Sequence, residues 1–104
     1  MRYGLVMTHV VGSKEIRPRF SDCLAWVKAG DEVVVLVYGQ PAGLLRAVRA
    51  DDIGARVPST LVRDRLSDVM RRARKRSLLV TWYGRAFAVL QAPPKGFEFR
   101  EDIS

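Results

Sequence analysis

Basic side chains are the residues of this sequence whose types and grouping could do chemistry. Eighteen Lys and Arg stand against eleven Asp and Glu, which gives a formal net charge of +7. The excess lies in residues 56–92, with nine basic and two acidic side chains, whereas residues 1–55 carry seven and six. Such a concentration of positive charge on a small chain indicates a polyanionic partner. Fourteen of the bases are Arg, whose planar guanidinium suits phosphates and guanine edges.

Four arginines hold matching places around two predicted helix starts. Arg17 and Arg19 lie at the first start, and Arg63 and Arg65 lie at the second. A helix start offers N–H groups and a positive dipole end to a phosphate, and arginines beside it could reach guanine edges in a major groove. The alternative is a solvated helix face, with Arg17 paired to a carboxylate such as Asp22.

The run RRARKR at 71–76 closes the second predicted helix. Cations at a helix C-terminus interact favourably with the dipole, which explains part of the run. Five bases in six positions exceed that need and favour a phosphate clamp. The residues predicted to contact double-stranded DNA are Lys14, Arg17, Arg19, Ser59, Thr60, Arg63, Arg65, Arg71, Arg72, Arg74, Lys75, Arg76 and Arg85.

The sequence offers no catalytic or metal-binding constellation. His9 has no suitable Ser or Cys nearby, and one His with one Cys cannot supply the usual zinc ligand set. Asp51 and Asp52 are predicted to be turn residues of a connector. The single cysteine, Cys23, excludes an internal disulfide framework and is typical of a reducing cytoplasm. We therefore expect a cytoplasmic protein without enzyme activity, cofactor or metal.

Aromatic residues and hydropathy give two further expectations. Tyr38, Trp82 and Tyr83 are interpreted as cross-strand packing partners, in preference to stacking platforms for bases. Trp26 is interpreted as packing on a helix face or as part of an interface. No run of about 18 uncharged apolar residues predicts a membrane span, and the N-terminus lacks the apolar block of a signal peptide.

The elements that must position these residues occur twice. Residues 11–47 and 57–92 align at an offset of 46, which becomes 45 after the predicted helix, with eleven identities in 36 aligned pairs. An internal duplication follows. Each copy reads as strand, helix, strand, turn and strand. The connector is 49–56, and a short tail, 93–104, ends the chain.

Each copy also carries local boundary signals. Ser13 and Ser59 are candidate helix N-caps, and Gly30 is placed just past the end of the first helix. The hairpins are predicted to turn at Gly39-Gln40 and Gly84-Arg85, where Gly can adopt positive φ. The apolar stripes of the two helices are Phe20, Cys23, Leu24 and Val27 in the first and Val62, Leu66, Val69, Met70 and Ala73 in the second.

The first copy closely resembles the N-terminal domain of the Phd/YefM family of bacterial antitoxins. Glu15-Ile16-Arg17 stands where that family has Glu-Ala-Arg, and residues 20–24 stand for its Leu-Ser-Glu stretch. The second copy keeps Arg63 and the Leu-Ser-Asp of 66–68, but Leu61 replaces the Glu. The resemblance covers both copies, together about 73 of the 104 residues.

The resemblance implies an α+β domain that dimerises and binds operator DNA through basic residues around the start of its helix. The family's C-terminal segment wraps a partner toxin. This sequence departs from the pattern by having two DNA-binding modules and only twelve residues after them. That departure puts toxin neutralisation in doubt and reinforces DNA binding.

The sequence therefore predicts an α+β fold in which tandem Phd/YefM-like β-α-β-β repeats, 1–48 and 57–92, form a pseudo-dimer with a shared core. The predicted function is a DNA-binding transcriptional regulator, most simply a repressor. An antitoxin that binds a toxin and autoregulates its operon is the alternative, and RNA binding is a weaker one. Self-association between chains stays open.

Overall fold

The computed structural model describes residues 6–93, so the predicted tail 93–104 lies outside the described residues except for Pro93. The described chain forms a mixed sheet and three helices, which confirms the α+β class. None of the helices between residues 6 and 93 has the length and apolar character that crossing a membrane requires. In order, the elements are β1 (Thr8–Gly12), α1 (Phe20–Lys28), β2 (Glu32–Val37), β3 (Gln40–Ala47), β4 (Ala55–Pro58), α2 (Ser59–Asp64), α3 (Leu66–Lys75), β5 (Leu78–Trp82) and β6 (Arg85–Gln91).

A single six-stranded sheet runs through the molecule in the order β1-β2-β3-β6-β5-β4. β1 pairs in parallel with β2, and β4 in parallel with β5. The hairpins β2–β3 and β5–β6 are antiparallel. The three strands of the N-terminal half meet the three strands of the C-terminal half where β3 pairs antiparallel with β6. Leu45 lies opposite Leu90 in this pair.

The two hairpins share one register at an offset of 45 residues. Val33 pairs with Leu45 in the first hairpin, and Leu78 pairs with Leu90 in the second. Each register shifts once, and it does so at the aligned positions of the two hairpins. A register shift bends a strand and increases its twist, so both hairpins bend at the same point.

The hairpin turns differ by one residue from the prediction of Gly39-Gln40 and Gly84-Arg85. The strand pairs Val37–Gln40 and Trp82–Arg85 close two-residue loops made of Tyr38-Gly39 and Tyr83-Gly84. Both residues of each loop have positive φ, between 51° and 80°, as a type I′ turn requires. The prediction was wrong because it reserved positive φ for glycine.

The helix boundaries also differ from expectation. Ser59 is the first residue of α2 and follows the N-cap residue Pro58. Neither α1 nor α2 has a hydrogen bond from a capping side chain. The prediction of Ser13 and Ser59 as helix N-caps was therefore wrong. Arg65 adopts φ −130° and ψ 46° and divides the predicted second helix into α2 and α3. The end of α1 is as predicted, with Gly30 at φ 97° and the amide of Asp31 donating to the Trp26 carbonyl at 2.9 Å.

One apolar core lies between the helices and the sheet and includes residues from both halves of the chain. Val27 of α1 and Val69 of α3 are buried in it, as are Leu45 and Leu90. Gly43 of β3 allows α3 to approach, because a Cβ at this position would lie 3.1 Å from the sulfur of Met70. Helix α3 therefore packs on a strand of the other half.

The connector is fixed by an ion pair. Asp52 receives Arg46 Nη2 at 2.7 Å and Nη1 at 2.9 Å, and it also accepts the backbone N–H of Arg49 at 2.6 Å. Arg46 and Asp52 are each 15% exposed. The hydrogen bond from Arg46 is the main reason that the pKa of Asp52 falls to about 2.

Candidate nucleic-acid interface

Two arginines that hold the same place in the sequence repeat meet at one carboxylate. Arg17 lies in the turn segment between β1 and α1, and Arg63 lies on α2. Arg17 Nη2 is 3.3 Å and Arg63 Nε is 2.9 Å from Oδ1 of Asp64. Asp22, the partner considered for Arg17, is instead 3.8 Å from Arg19. The fold thus joins two predicted contact residues 46 positions apart.

The Asp64 carboxylate holds these guanidinium groups in place at the surface. Its pKa is lowered mainly by the hydrogen bond from Arg63, with a smaller effect of Arg17. Arg17 is 69% exposed and Arg63 is 42% exposed. Both guanidinium groups therefore remain accessible, and part of their charge is balanced by a single acid.

Arg19 and Arg65 hold aligned positions but have different surroundings. Arg19 lies over the ring of Trp26, with the guanidinium carbon 5.1 Å from the ring centroid. The other neighbour of Trp26 is His9, stacked at 3.9 Å between centroids. Arg65 is exposed at the break between α2 and α3, and its side chain makes no hydrogen bond or ion pair within residues 6–93. Within residues 6–93, the side chain of Arg65 is therefore less constrained by contacts than that of Arg19.

The small polar residues of the predicted interface separate by burial. Ser59 is only 2% exposed, so its hydroxyl is not accessible to DNA and Ser59 is not a contact residue. Thr60 and Lys14 are exposed. Lys14 has no acidic partner in the described part of the chain. Thr60 and Lys14 therefore remain candidates for contact with a phosphate.

The basic run 71–76, which covers the end of α3 and its C-cap residue Arg76, is exposed everywhere except at Ala73, which is buried. Arg71 is paired with Asp68 at 3.3 Å. The remaining cations of the run have no acidic partner among residues 6–93, and the same holds for Arg85 at the start of β6. Three of them border a cavity of about 760 Å³ beside the start of β4. The unpaired cations of the run are Arg72, Arg74, Lys75 and Arg76.

Two smaller clefts lie where one half of the chain meets the other. The first cleft, about 650 Å³, is bordered by Lys14 and Tyr38 from the N-terminal half and by Ser67 of α3. The second cleft, about 270 Å³, is bordered by Thr60 and Trp82 from the C-terminal half, together with Ser21, Arg17 and Arg63. The first cleft therefore combines a hairpin-loop residue, Tyr38, with the start of α3. The second combines an α2 residue, Thr60, with the start of α1.

The tyrosines of the hairpin loops do not pack across strands as predicted. Tyr38 is 94% exposed and Tyr83 is 91% exposed. Trp82 is partly exposed, with its ring edge-to-face with Tyr83 at 5.1 Å and Lys28 Nζ 5.4 Å from its ring centroid. The signal that could have placed the tyrosines outside is the Tyr-Gly pair itself, since a two-residue loop projects its first side chain away from the strands.

Other titratable groups have structural surroundings. Cys23 is buried, and burial raises the pKa of its thiol to about 11, which disfavours the reactive thiolate. His9 Nε2 lies 3.1 Å from Asp31 Oδ2 beneath Trp26. Within residues 6–93 no three His, Cys, Asp or Glu side chains are grouped to hold a metal ion.

Comparison of the chain with protein-family models, with curated proteins and with solved structures found no match. Its function has to be inferred from its own residues and their geometry.

Proposed function

We propose that this protein binds duplex DNA in a sequence-specific manner and regulates transcription, as the resemblance to the Phd/YefM N-terminal domain implies. The observation that carries the proposal is the lack of acids to balance residues 56–92. Asp64 is shared by Arg17 and Arg63, and Asp68 is taken by Arg71. Those are the only two acids of this segment, and its other cations form no ion pair within residues 6–93, which leaves their charge available to neutralise phosphates.

We propose two roles for the basic residues. The free cations of α3 grip phosphates, which sets register and affinity without reading sequence. Arg63 and Arg65, beside the start of α3, reach base edges in the major groove, where a guanidinium recognises guanine. Arg17 and Arg19 have the corresponding role in the first half, with Arg19 held over Trp26.

We propose further that one chain takes the place of two subunits. Three observations support this reading: the strand order divides into three strands from each half, the hairpin registers agree at an offset of 45, and Leu45 faces Leu90 across the junction. In a two-fold arrangement the residue on the axis faces its own equivalent. A monomer in solution that occupies one DNA site is the expected stoichiometry.

Binding assays on the full chain test the function. Fluorescence anisotropy with duplexes tiled across the DNA upstream of its own gene should reveal one preferred segment, with log K falling by about 0.9 per unit of log salt for each phosphate neutralised. Footprinting then locates the site. An unlabelled RNA duplex and a random DNA duplex of equal length are the competitors.

The possible outcomes separate the candidate functions. Preferred binding to one upstream segment supports a regulator. Equal competition by RNA would contradict DNA recognition, and absence of duplex binding at low salt would overturn the proposal. Analytical ultracentrifugation of the free protein and of the complex checks the pseudo-dimer, which requires one chain in each. Two chains in the free protein would contradict the intramolecular arrangement.

A further inference from the structure

The two hairpin loops present tyrosines that turn stability does not explain. Tyr38 and Tyr83 both have φ 51°, a left-handed conformation that large side chains rarely adopt. Asn, Asp or Gly is the preferred first residue of such a turn. Both residues are more than nine-tenths exposed, so burial does not retain them either. A function at the surface would account for a tyrosine at the same position in both loops.

The first loop borders one of the clefts that contain candidate DNA-contacting residues, and the strand residue before the second loop borders the other. Tyr38 borders the first cleft together with Lys14 and Ser67. Trp82, in edge-to-face contact with Tyr83, borders the second cleft together with Thr60 and Arg63. Glu15 also lines the first cleft, and it is the one acid there. The aromatic rings thus lie beside exposed cations, where an anionic polymer would be bound.

The loops also lie towards opposite ends of the sheet. β3 begins directly after the Tyr38 loop, and β6 begins directly after the Tyr83 loop. Because β3 and β6 run antiparallel, their starts point in opposite directions. The two tyrosines therefore lie towards opposite ends of the β3–β6 pair, and a ligand that contacts both must be elongated.

We propose that Tyr38 and Tyr83 contact the sugar-phosphate backbone of the duplex at the two ends of the bound site. This inference rests on the proposed function. A tyrosine ring packs against the apolar face of a deoxyribose, and its hydroxyl donates to a phosphate oxygen. Neither contact reads a base, so the tyrosines extend the bound length and raise affinity for all duplexes.

A double substitution separates this role from a structural one. Tyr38→Asn with Tyr83→Asn creates the Asn-Gly sequence that type I′ turns favour, so the melting temperature should rise. The same variant should bind both operator and random duplexes about tenfold more weakly. The matched control, Tyr38→Phe with Tyr83→Phe, keeps both rings and the backbone strain, and should weaken binding by less than about threefold.

Footprinting of the single variants tests which end of the bound site each tyrosine contacts. Tyr38→Asn should shorten protection at one end of the site, and Tyr83→Asn should shorten it at the other. An Asn double variant with raised melting temperature and unchanged duplex affinity would overturn the inference while leaving DNA binding intact. A wild-type chain that binds no duplex would overturn both. A change in the sedimentation of the free protein on Asn substitution would instead assign the loops to self-association and contradict the contact with DNA.

Discussion

Leu45 and Leu90 lie directly opposite each other in the antiparallel pair of β3 with β6. They hold the same position in the two hairpins, because Leu45 pairs with Val33 and Leu90 pairs with Leu78. Both are buried in the core that the two halves share. The stability of each half therefore depends on the other.

This dependence can be measured by truncating either leucine. Leu45→Ala and Leu90→Ala should each lower the free energy of unfolding by about 2–5 kcal/mol, because each leaves a cavity in a closed core. Urea denaturation followed by circular dichroism should show one cooperative transition for both variants. Ile53→Ala, at an exposed position, is the control and should change stability by less than about 0.5 kcal/mol. Two separate transitions would mean that the halves fold independently.

The unpaired cations of α3 should determine how binding responds to salt. Replacing Arg72, Arg74, Lys75 and Arg76 by Gln should weaken binding to all duplexes alike and flatten the plot of log K against log salt, by up to about 0.9 for each phosphate that the variant no longer neutralises. Arg71→Gln is the matched control on the same helix. Its charge is already paired with Asp68, so its effect should be smaller than that of one unpaired cation. A slope unaffected by the fourfold replacement would restrict the run to a role at the helix end.

The Asp64 carboxylate should lower the affinity for DNA. Asp64→Asn removes the carboxylate between Arg17 and Arg63 and so raises the net charge of the interface by one. We expect duplex affinity at low salt to rise by about three- to tenfold, with a steeper salt dependence. Asp68→Asn changes the net charge by the same amount at a different place and provides the comparison. Weaker binding by Asp64→Asn would mean that the carboxylate positions the arginines and that this positioning outweighs its charge.

Base recognition should depend on the residues beside the start of α3. Arg63→Ala and Arg65→Ala should each reduce the preference for operator over random DNA, by about 1–3 kcal/mol for a residue that reads a base. The measurement is the ratio of two affinities at one salt concentration. If specific and random binding fall equally, these arginines bind phosphates. Arg85→Ala, at the start of β6, serves as the comparison.

Acid should loosen the connector. The pKa of Asp52 is held at about 2, below the 3.8 of an unpaired Asp, mainly by the hydrogen bond from Arg46. A carboxyl with a depressed pKa in the folded state stabilises the fold above the unfolded pKa and stops doing so as the pH falls through the folded pKa. Unfolding free energy should therefore decline between about pH 4 and pH 2, and that of Asp52→Asn should decline less over the same interval. Equal pH profiles for the two proteins would contradict this role.

Much of the fold could be predicted because its determinants are local. Apolar runs and the break at Gly30 place the strands and the end of α1, and the recurrence of Tyr-Gly locates both hairpins. The break at Arg65 could not be predicted, since Val62 and Leu66 keep helical spacing across it and both are buried. The predicted loops began one residue too late in the sequence, because tyrosine rarely adopts positive φ and each loop was therefore started at glycine.

The candidate site was less accessible to sequence reasoning. Charge counts identified the basic segment, but the convergence of Arg17 and Arg63 on Asp64 joins residues 46 and 47 positions apart. The contact of Arg19 with Trp26 was not predicted either, because Trp26 was interpreted only through its packing. The contact of Arg17 with Asp64 is set by the way the halves pack, which no local pattern encodes.

The covalent link between β3 and β4 has a consequence for the protein at low abundance. Because the halves belong to one chain, each experiences the other at an effective concentration on the millimolar scale typical of short linkers. Dilution cannot separate them, and their association follows first-order kinetics. A regulator present at a few copies per cell would therefore keep its β3–β6 junction intact, under conditions in which two separate subunits would dissociate.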